Sequence, residues 1–161
     1  MSKVQKISPF LWFDNNAEEA VNFYTSIFEN SRIKKTVRNG DGMPGPKGSV
    51  LTMSFELAGG EFTALNGGPM YRFTEAISLL VMCDDQEEVD RLWSRLTSGG
   101  GKEVQCGWLK DKFGLSWQIV PKAIIDMLSD KDVEKVKRVM AAMMQMVKFD
   151  VAKLQKAYDG K

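Results

Sequence analysis

Hydrophobic and polar residues alternate in two helix-like segments along this chain, and each segment follows a short apolar run. Residues 15–27 and 84–96 place apolar side chains at helical spacing, behind Asn or Asp residues suited to cap a helix. The runs at 7–13 and 76–82 are rich in aromatic and branched residues, which is typical of buried strands. The pattern therefore predicts a strand followed by an amphipathic helix, twice.

The two helical segments align with each other without a gap. The offset is 69 residues, so that Glu18 falls on Glu87, Tyr24 on Trp93 and Ile27 on Leu96. Strand-like segments follow each helix, at 32–38, 49–57 and 61–66 in the first half and at 103–109 and 115–120 in the second, where a separate strand before the last hairpin is poorly marked. The sequence predicts an α+β fold of tandem βαβββ modules, at about 5–69 and 70–121, that form a curved mixed sheet or half-barrel.

The last part of the chain has a different pattern. Residues 122–129, 132–148 and 150–158 are predicted helices, so we expect a paired domain over 1–129 and a C-terminal helical extension over 130–161. Met140, Met143, Met144 and Val147 fall on one helical face. Such a stripe is typical of core packing, and the alternative is an adaptable surface for a ligand or a protein partner.

Composition narrows the classes of function. The chain has 161 residues with 22 basic and 21 acidic side chains, a net charge of +1, which gives no electrostatic case for binding nucleic acid or an anionic membrane surface. No apolar run approaches the roughly 20 residues of a membrane helix. Two cysteines, ten methionines and a polar N-terminal segment are typical of a cytoplasmic protein.

Catalytic motifs are scarce. The sequence contains no histidine, which excludes Ser-His and Cys-His nucleophilic pairs. Glu61 and Glu75 near strand ends are candidate acids or bases, but no more so than any surface carboxylate. The glycine pairs lie in turns and at helix ends, unlike the strand-to-helix glycine turn of common S-adenosylmethionine sites, so we expect no cofactor.

Several short motifs carry a family resemblance. Residues 8–13 and 17–20, the pair Phe23-Tyr24, and residues 64–69 and 111–117 resemble the PhnB-like branch of the vicinal oxygen chelate superfamily, which includes glyoxalases and bleomycin-resistance proteins. The resemblance covers residues from about 5 to 121. Members of this branch often carry the domain label 3-demethylubiquinone-9 3-methyltransferase, but the motifs do not identify a substrate.

The resemblance also implies where a metal would be held. Superfamily enzymes bind a divalent metal with one residue from each of four strands, and the corresponding positions here are Pro9, Ala64, Ser78 and Gln118. This set lacks the imidazole, carboxylate and thiolate donors that Zn²⁺, Ni²⁺ and Fe²⁺ need. The sequence therefore predicts no metal at the inherited position.

A cavity can persist without the metal. Strand alternation from the inherited positions predicts a pocket face of apolar, amide and hydroxyl side chains that binds a small organic ligand. The predicted ligand-binding residues are Leu11, Phe62, Asn66, Ser78 and Gln118; the alternative is that these side chains simply fill the core. We expect a homodimer, because curved sheets leave edges that a second chain can cover. Two alternatives remain open: an enzyme of the same superfamily (a lyase, a dioxygenase or the nominal methyltransferase), and a protein-interaction module that uses the Met-rich tail.

Overall fold

The computed structural model describes residues 5–161 and divides the chain into two compact units. One unit ends at Arg72, and the other spans Phe73–Lys161. Of the N-terminal segment assessed for a signal sequence, residues 1–4 lie outside the described part. No helix among residues 5–161 is long and apolar enough to cross a membrane.

The first unit is a βαβββ module. Its elements are β1 (Phe10–Phe13), α1 (Ala17–Ile27), β2 (Arg32–Arg38), β3 (Val50–Leu57) and β4 (Gly60–Asn66). The strands form a mixed sheet in the order β1-β4-β3-β2, in which β1 and β4 are parallel and the other pairs are antiparallel. One face of α1 is fully packed, with Ala20, Val21 and Tyr24 inaccessible to solvent.

The second unit repeats this arrangement. Its elements are β5 (Ser78–Cys83), α2 (Gln86–Thr97), β6 (Lys102–Glu103), β7 (Trp108–Lys110) and β8 (Ser116–Pro121). The sheet order is β5-β8-β7-β6, with β5 and β8 parallel. The α+β class and the tandem βαβββ modules are therefore confirmed. The segment predicted as one strand over 103–109 is in fact two strands, and β6 is only two residues long.

Three helices follow β8 in the second unit. They are α3 (Lys122–Leu128), α4 (Val133–Met143) and α5 (Val151–Asp159). Asp132 and Asp150 cap α4 and α5 by accepting hydrogen bonds from backbone N–H groups of the first turn. The helices enclose a small apolar cluster of their own, made of Ile124, Met127, Val139, Phe149 and Leu154.

The fourth helix is shorter than its sequence pattern predicts. Apolar spacing continues to residue 148, but α4 ends at Met143. Backbone carbonyls beyond that end accept hydrogen bonds from the loop before β7: Met146 O from Cys106 N and Val147 O from Gly107 N, both at 2.8 Å. Pairing with another segment replaces the hydrogen bonds that would extend the helix.

Candidate functional site

Each sheet has a face covered by its helix and an opposite face, and the first sheet puts several predicted binding residues on the helix side. Leu11 and Ala64 are register partners, exposed by only 6% and 0%. The Asn66 side chain accepts a hydrogen bond from Ala17 N at 2.9 Å and so caps the first turn of α1. Leu11 and Ala64 therefore lie on the strand face that packs against the helix, whereas Asn66, at the end of β4, both caps α1 and lines a cleft of this unit.

Phe62 belongs to the same face. It pairs with Phe55 across the β3–β4 ladder, and the two rings stack with centroids 5.5 Å apart. Pro9, just before β1, uses its carbonyl to accept a hydrogen bond from Thr63 N. Packing and capping account for the positions of these residues, and ligand binding by Leu11, Phe62 and Asn66 stays a prediction.

The opposite face of the first sheet carries residues outside the predicted ligand-binding set. Phe10 is 61% exposed and pairs with Thr63, while Glu61 and Lys34 form an ion pair at 2.5 Å. Every residue of the run 10–13 is apolar, so the sequence pattern does not show which side chains of this strand face the core. The amphipathic face of α1 is the signal that fixes which strand residues point inward.

In the second sheet the structure brings the two predicted residues together. Gln118 Nε2 donates a hydrogen bond to Ser78 Oγ at 2.8 Å. In the parallel β5–β8 ladder Ser78 pairs with Ser116, and Leu80 pairs with Gln118. Trp117 points to the other face and is buried against the side that carries α2.

Ser116 is the unusual residue of this face. Its side chain is 1% exposed, and among the described residues its Oγ is the one buried side-chain polar atom that lacks a hydrogen-bond partner. A buried hydroxyl without a partner costs about 1–3 kcal/mol. Strand alternation from Gln118 predicts that Ser116 lies on this face, but the unmet hydrogen bond is visible only in the fold.

Three charged side chains complete the surroundings of Ser116. Lys110 is the register partner of Ser116 across β7–β8, and its ammonium forms an ion pair with the Glu75 carboxylate. This contact holds the pKa of Glu75 below its usual value. Lys102 lies opposite Lys110 across β6–β7 and therefore on the same face. We call the surface formed by Ser78, Leu80, Lys102, Trp108, Lys110, Ser116 and Gln118 the open face of the second sheet.

The donors at the inherited metal positions do not fit a divalent transition metal. Ala64 offers no donor atom, and the carbonyl of Pro9 is already hydrogen-bonded to the backbone. Ser78 and Gln118 contribute one neutral hydroxyl and one amide, which bond to each other. Zn²⁺, Ni²⁺ and Fe²⁺ favour imidazole, carboxylate or thiolate ligands. Elsewhere in residues 5–161 there is no group of three or more Cys, Asp or Glu side chains that could hold a metal ion.

The two thiols differ in environment. Cys83 is fully buried, and burial raises its pKa to about 12, so that it stays protonated at neutral pH. Cys106 lies in the loop before β7, where its sulfur is 3.8 Å from the Met144 sulfur. Neither thiol belongs to the open face of the second sheet.

Comparison with protein families gives a match over about the first three quarters of the chain. Residues 5–120 match the family model described as 3-demethylubiquinone-9 3-methyltransferase. No curated protein sequence matches the chain. The helical extension after α3 lies beyond the matched residues.

Solved structures agree with this placement. A putative 3-demethylubiquinone-9 3-methyltransferase, PhnB protein, from Bacillus cereus is 38% identical, with a TM-score of 0.68, and the match covers 73% of this chain and 99% of that one. Protein PA1353 from Pseudomonas aeruginosa is 21% identical, with a TM-score of 0.61 and coverage of 73% and 97%. The fosfomycin resistance protein FosX from Listeria monocytogenes, complexed with Mn(II) and sulfate, is 16% identical, with a TM-score of 0.50 and coverage of 75% and 90%.

The similarity to FosX shows a shared fold only. The family-model match and the 38% identity to the Bacillus cereus protein show membership of the family. Taken with the duplicated βαβββ topology, they show that this chain belongs to the PhnB-like, 3-demethylubiquinone-9 3-methyltransferase-domain family.

Proposed function

We propose that the protein binds a small organic ligand on the open face of the second sheet, without a divalent metal. The observation that carries this proposal is the buried hydroxyl of Ser116, which lacks a partner beside the Ser78–Gln118 hydrogen bond. A ligand that donates to or accepts from this hydroxyl would remove the cost of leaving it unpaired.

The character of the surrounding side chains supports the proposal. Leu80 is 56% exposed, and Trp108 lies opposite Gln118 across the β7–β8 ladder. An apolar and aromatic surface with a few hydroxyl and amide groups is the usual lining of a small-molecule site. An indole ring at this position can stack on a flat ligand.

A fragment titration followed by NMR tests the proposal. Spectra of ¹⁵N-labelled protein report on the Gln118 side-chain amide, the Trp108 indole and the Ser116 backbone amide. We expect fragment hits to shift these signals together, and Ser116→Ala to weaken the hits about fivefold, the effect of one hydrogen bond. Ser94→Ala, at an exposed position on α2, is the matched control and should leave affinities unchanged.

The same experiment contains the result that would refute the proposal. The first unit has a separate cleft of about 520 Å³, lined by Asn39, Ser49, Leu65 and Asn66 among others. The polar atoms of Asn39 and Asn66 are already hydrogen-bonded to neighbouring backbone and side chains. If fragments shift signals of this cleft and leave Ser116 and Gln118 unmoved, the open face of the second sheet is not the binding site.

The family description supplies a second candidate, a methyltransferase. The match over residues 5–120 is the observation that favours it. Calorimetric titration with S-adenosylmethionine tests this candidate directly. Saturable binding would support a methyltransferase. If no heat of binding is measured up to millimolar cofactor, the methyltransferase candidate is rejected and ligand binding is the remaining candidate.

A further inference from the structure

We infer that the ligand of the open face of the second sheet carries a carboxylate group, which Lys110 binds in the place that Glu75 fills in the structure. The inference rests on the proposed function and adds the chemical class of the ligand. It follows from the position of Lys110, from the balance of charge on this face and from the exposure of Glu75.

Lys110 is placed to reach the same ligand as Ser116. The two residues are register partners, and the ladder that joins them also aligns Trp108 with Gln118. Directly opposed side chains in an antiparallel pair have Cβ atoms roughly 5 Å apart. A carboxylate that receives a hydrogen bond from the buried Ser116 hydroxyl therefore lies within reach of the Lys110 ammonium.

The charge of this face favours an anion. Within the strands of the second sheet the single carboxylate is Glu103, and its Oε1 accepts a hydrogen bond from Trp93 Nε1 at 2.6 Å. Trp93 belongs to α2, so Glu103 faces the helix side. Lys102 and Lys110 share the opposite face, where Glu75, from the segment before β5, is the carboxylate that compensates them.

Glu75 has the properties of a displaceable group. Its side chain is 63% exposed, against 31% for Lys110, and it lies outside the strands. Ion pairs with such exposure contribute little to stability, so their exchange costs little. Replacing the Glu75 carboxylate by a ligand carboxylate leaves the net charge of the face unchanged, whereas a neutral ligand would gain nothing from Lys110 and a dianion would change that balance.

Matched acids and amides test the inference. The probes are benzoate and phenylacetate together with benzamide and phenylacetamide, titrated into ¹⁵N-labelled full-length protein and followed at Ser116, Gln118 and Trp108. We expect the acids to bind at least tenfold more tightly than their amides at low salt, with the preference shrinking as ionic strength rises.

Three variants locate the cause of the preference. Lys110→Met should bind acid and amide alike, because the cation is gone. Glu75→Gln should bind the acids about two- to fivefold more tightly, because the internal competitor is lost. Lys112→Gln removes a lysine of the following turn, which lies 5.0 Å from the Phe113 ring centroid, and should behave as the unaltered protein.

The outcomes separate this inference from the proposed function. If acids and amides shift Ser116 and Gln118 with equal affinity, or if Lys110→Met keeps the acid preference, the carboxylate inference is wrong and the binding proposal stands. If none of the four probes shifts these signals, both are overturned. If Lys112→Gln abolishes the preference for acids and Lys110→Met does not, the carboxylate binds to Lys112, and its assignment to Lys110 is wrong.

Discussion

Asp111 is the residue that organises the turn next to the proposed site. Its carboxylate is 3% exposed and accepts hydrogen bonds from Phe113 N at 2.8 Å, Leu115 N at 3.1 Å and Trp117 Nε1 at 2.8 Å. Three donors satisfy a charge that would otherwise be costly to bury. The contact to Trp117 fixes the face on which the tryptophan lies, and so the face on which Gln118 lies.

Replacing this carboxylate should destabilise the protein markedly. We expect Asp111→Ala to lower the free energy of unfolding by about 3 kcal/mol, because it leaves buried N–H groups without their acceptor. Asp111→Asn keeps one acceptor oxygen and should cost about 2 kcal/mol. Urea denaturation followed by tryptophan fluorescence measures both.

A surface aspartate provides the control. The Asp41 side chain is 83% exposed and forms an ion pair with Lys47, whose side chain is 73% exposed, so Asp41→Ala should change stability by less than about 0.5 kcal/mol. Equal midpoints for the Asp111 and Asp41 variants would show that the network around Asp111 does not support the hairpin.

At the scale of residues, the sequence predicts which face of a sheet a side chain lies on where a neighbouring helix or turn constrains the strand. The Asp111 turn and the repeat offset together predict that Gln118 and Ser78 share one face, and the structure joins them by a hydrogen bond. For Leu11 and Ala64 the sequence predicts a shared strand face but not what covers it, because β1 is apolar on both sides. The unmet hydrogen bond of Ser116 and the Lys110–Glu75 pair depend on neighbours from other strands and loops, which one sequence does not reveal.

Among the elements, the loop before β7 joins the second sheet to the helical extension. Cys106 and Gly107 both have positive φ, 58° and 78°, and their N–H groups bond to the backbone of the segment after α4. A methyl group on residue 107 would overlap the ring of Phe149, a member of the apolar cluster of the extension. The loop conformation and the packing of the extension therefore depend on each other.

Gly107→Ala should loosen this junction. We expect it to lower the free energy of unfolding by about 3 kcal/mol, since the new methyl group adds overlap to the strain of a positive φ. Limited proteolysis should show faster cleavage after α3, because the extension no longer packs closely against residue 107. Thermal unfolding and mass analysis of the fragments measure the two effects.

Gly114 is the matched control for backbone strain alone. Its φ is 88°, and a methyl group there would meet no atom within 4 Å. Gly114→Ala should therefore cost about 1 kcal/mol and leave the extension protected. Equal effects of the two substitutions would mean that the Phe149 ring moves to make room for the methyl group without a loss of stability.

The elements themselves could be predicted largely from periodicity, with two informative exceptions. Both amphipathic helices and the final hairpin follow from local pattern, because each presents one continuous apolar face. The end of α4 and the short strand β6 do not. The end of α4 is set by hydrogen bonds from Cys106 and Gly107, which are distant in sequence, and β6 is only two residues long, too short to show a periodic pattern.

For the whole molecule, the duplication leaves two open sheets with comparable edges. The strand β1 ends the first sheet and β5 ends the second, and each is bonded to a neighbour on one side only within its sheet. Exposed apolar side chains lie on these strands, with Phe10 61% and Leu80 56% exposed. Unprotected edges with apolar side chains favour pairing with another chain.

We therefore expect the protein to form a homodimer through these edge strands. Sedimentation equilibrium should give twice the 18.1 kDa mass of one chain. Phe10→Glu and Leu80→Glu should each raise the dissociation constant at least tenfold, because a carboxylate would be buried in the interface without a partner. Both positions are exposed in the single chain, so the monomers should keep their stability.

Two further substitutions decide between the sheet edges and the helical extension as the interface. Val133 and Met140 are 62% and 54% exposed on α4, and so match Phe10 and Leu80 in exposure and apolar character. If the sheets associate, Val133→Glu and Met140→Glu leave the mass unchanged. If instead Met140→Glu dissociates the protein and Phe10→Glu does not, the methionine-rich face of the extension holds the subunits. The exposed Phe10 would then need another explanation, whereas Leu80 would remain explained by the proposed ligand site.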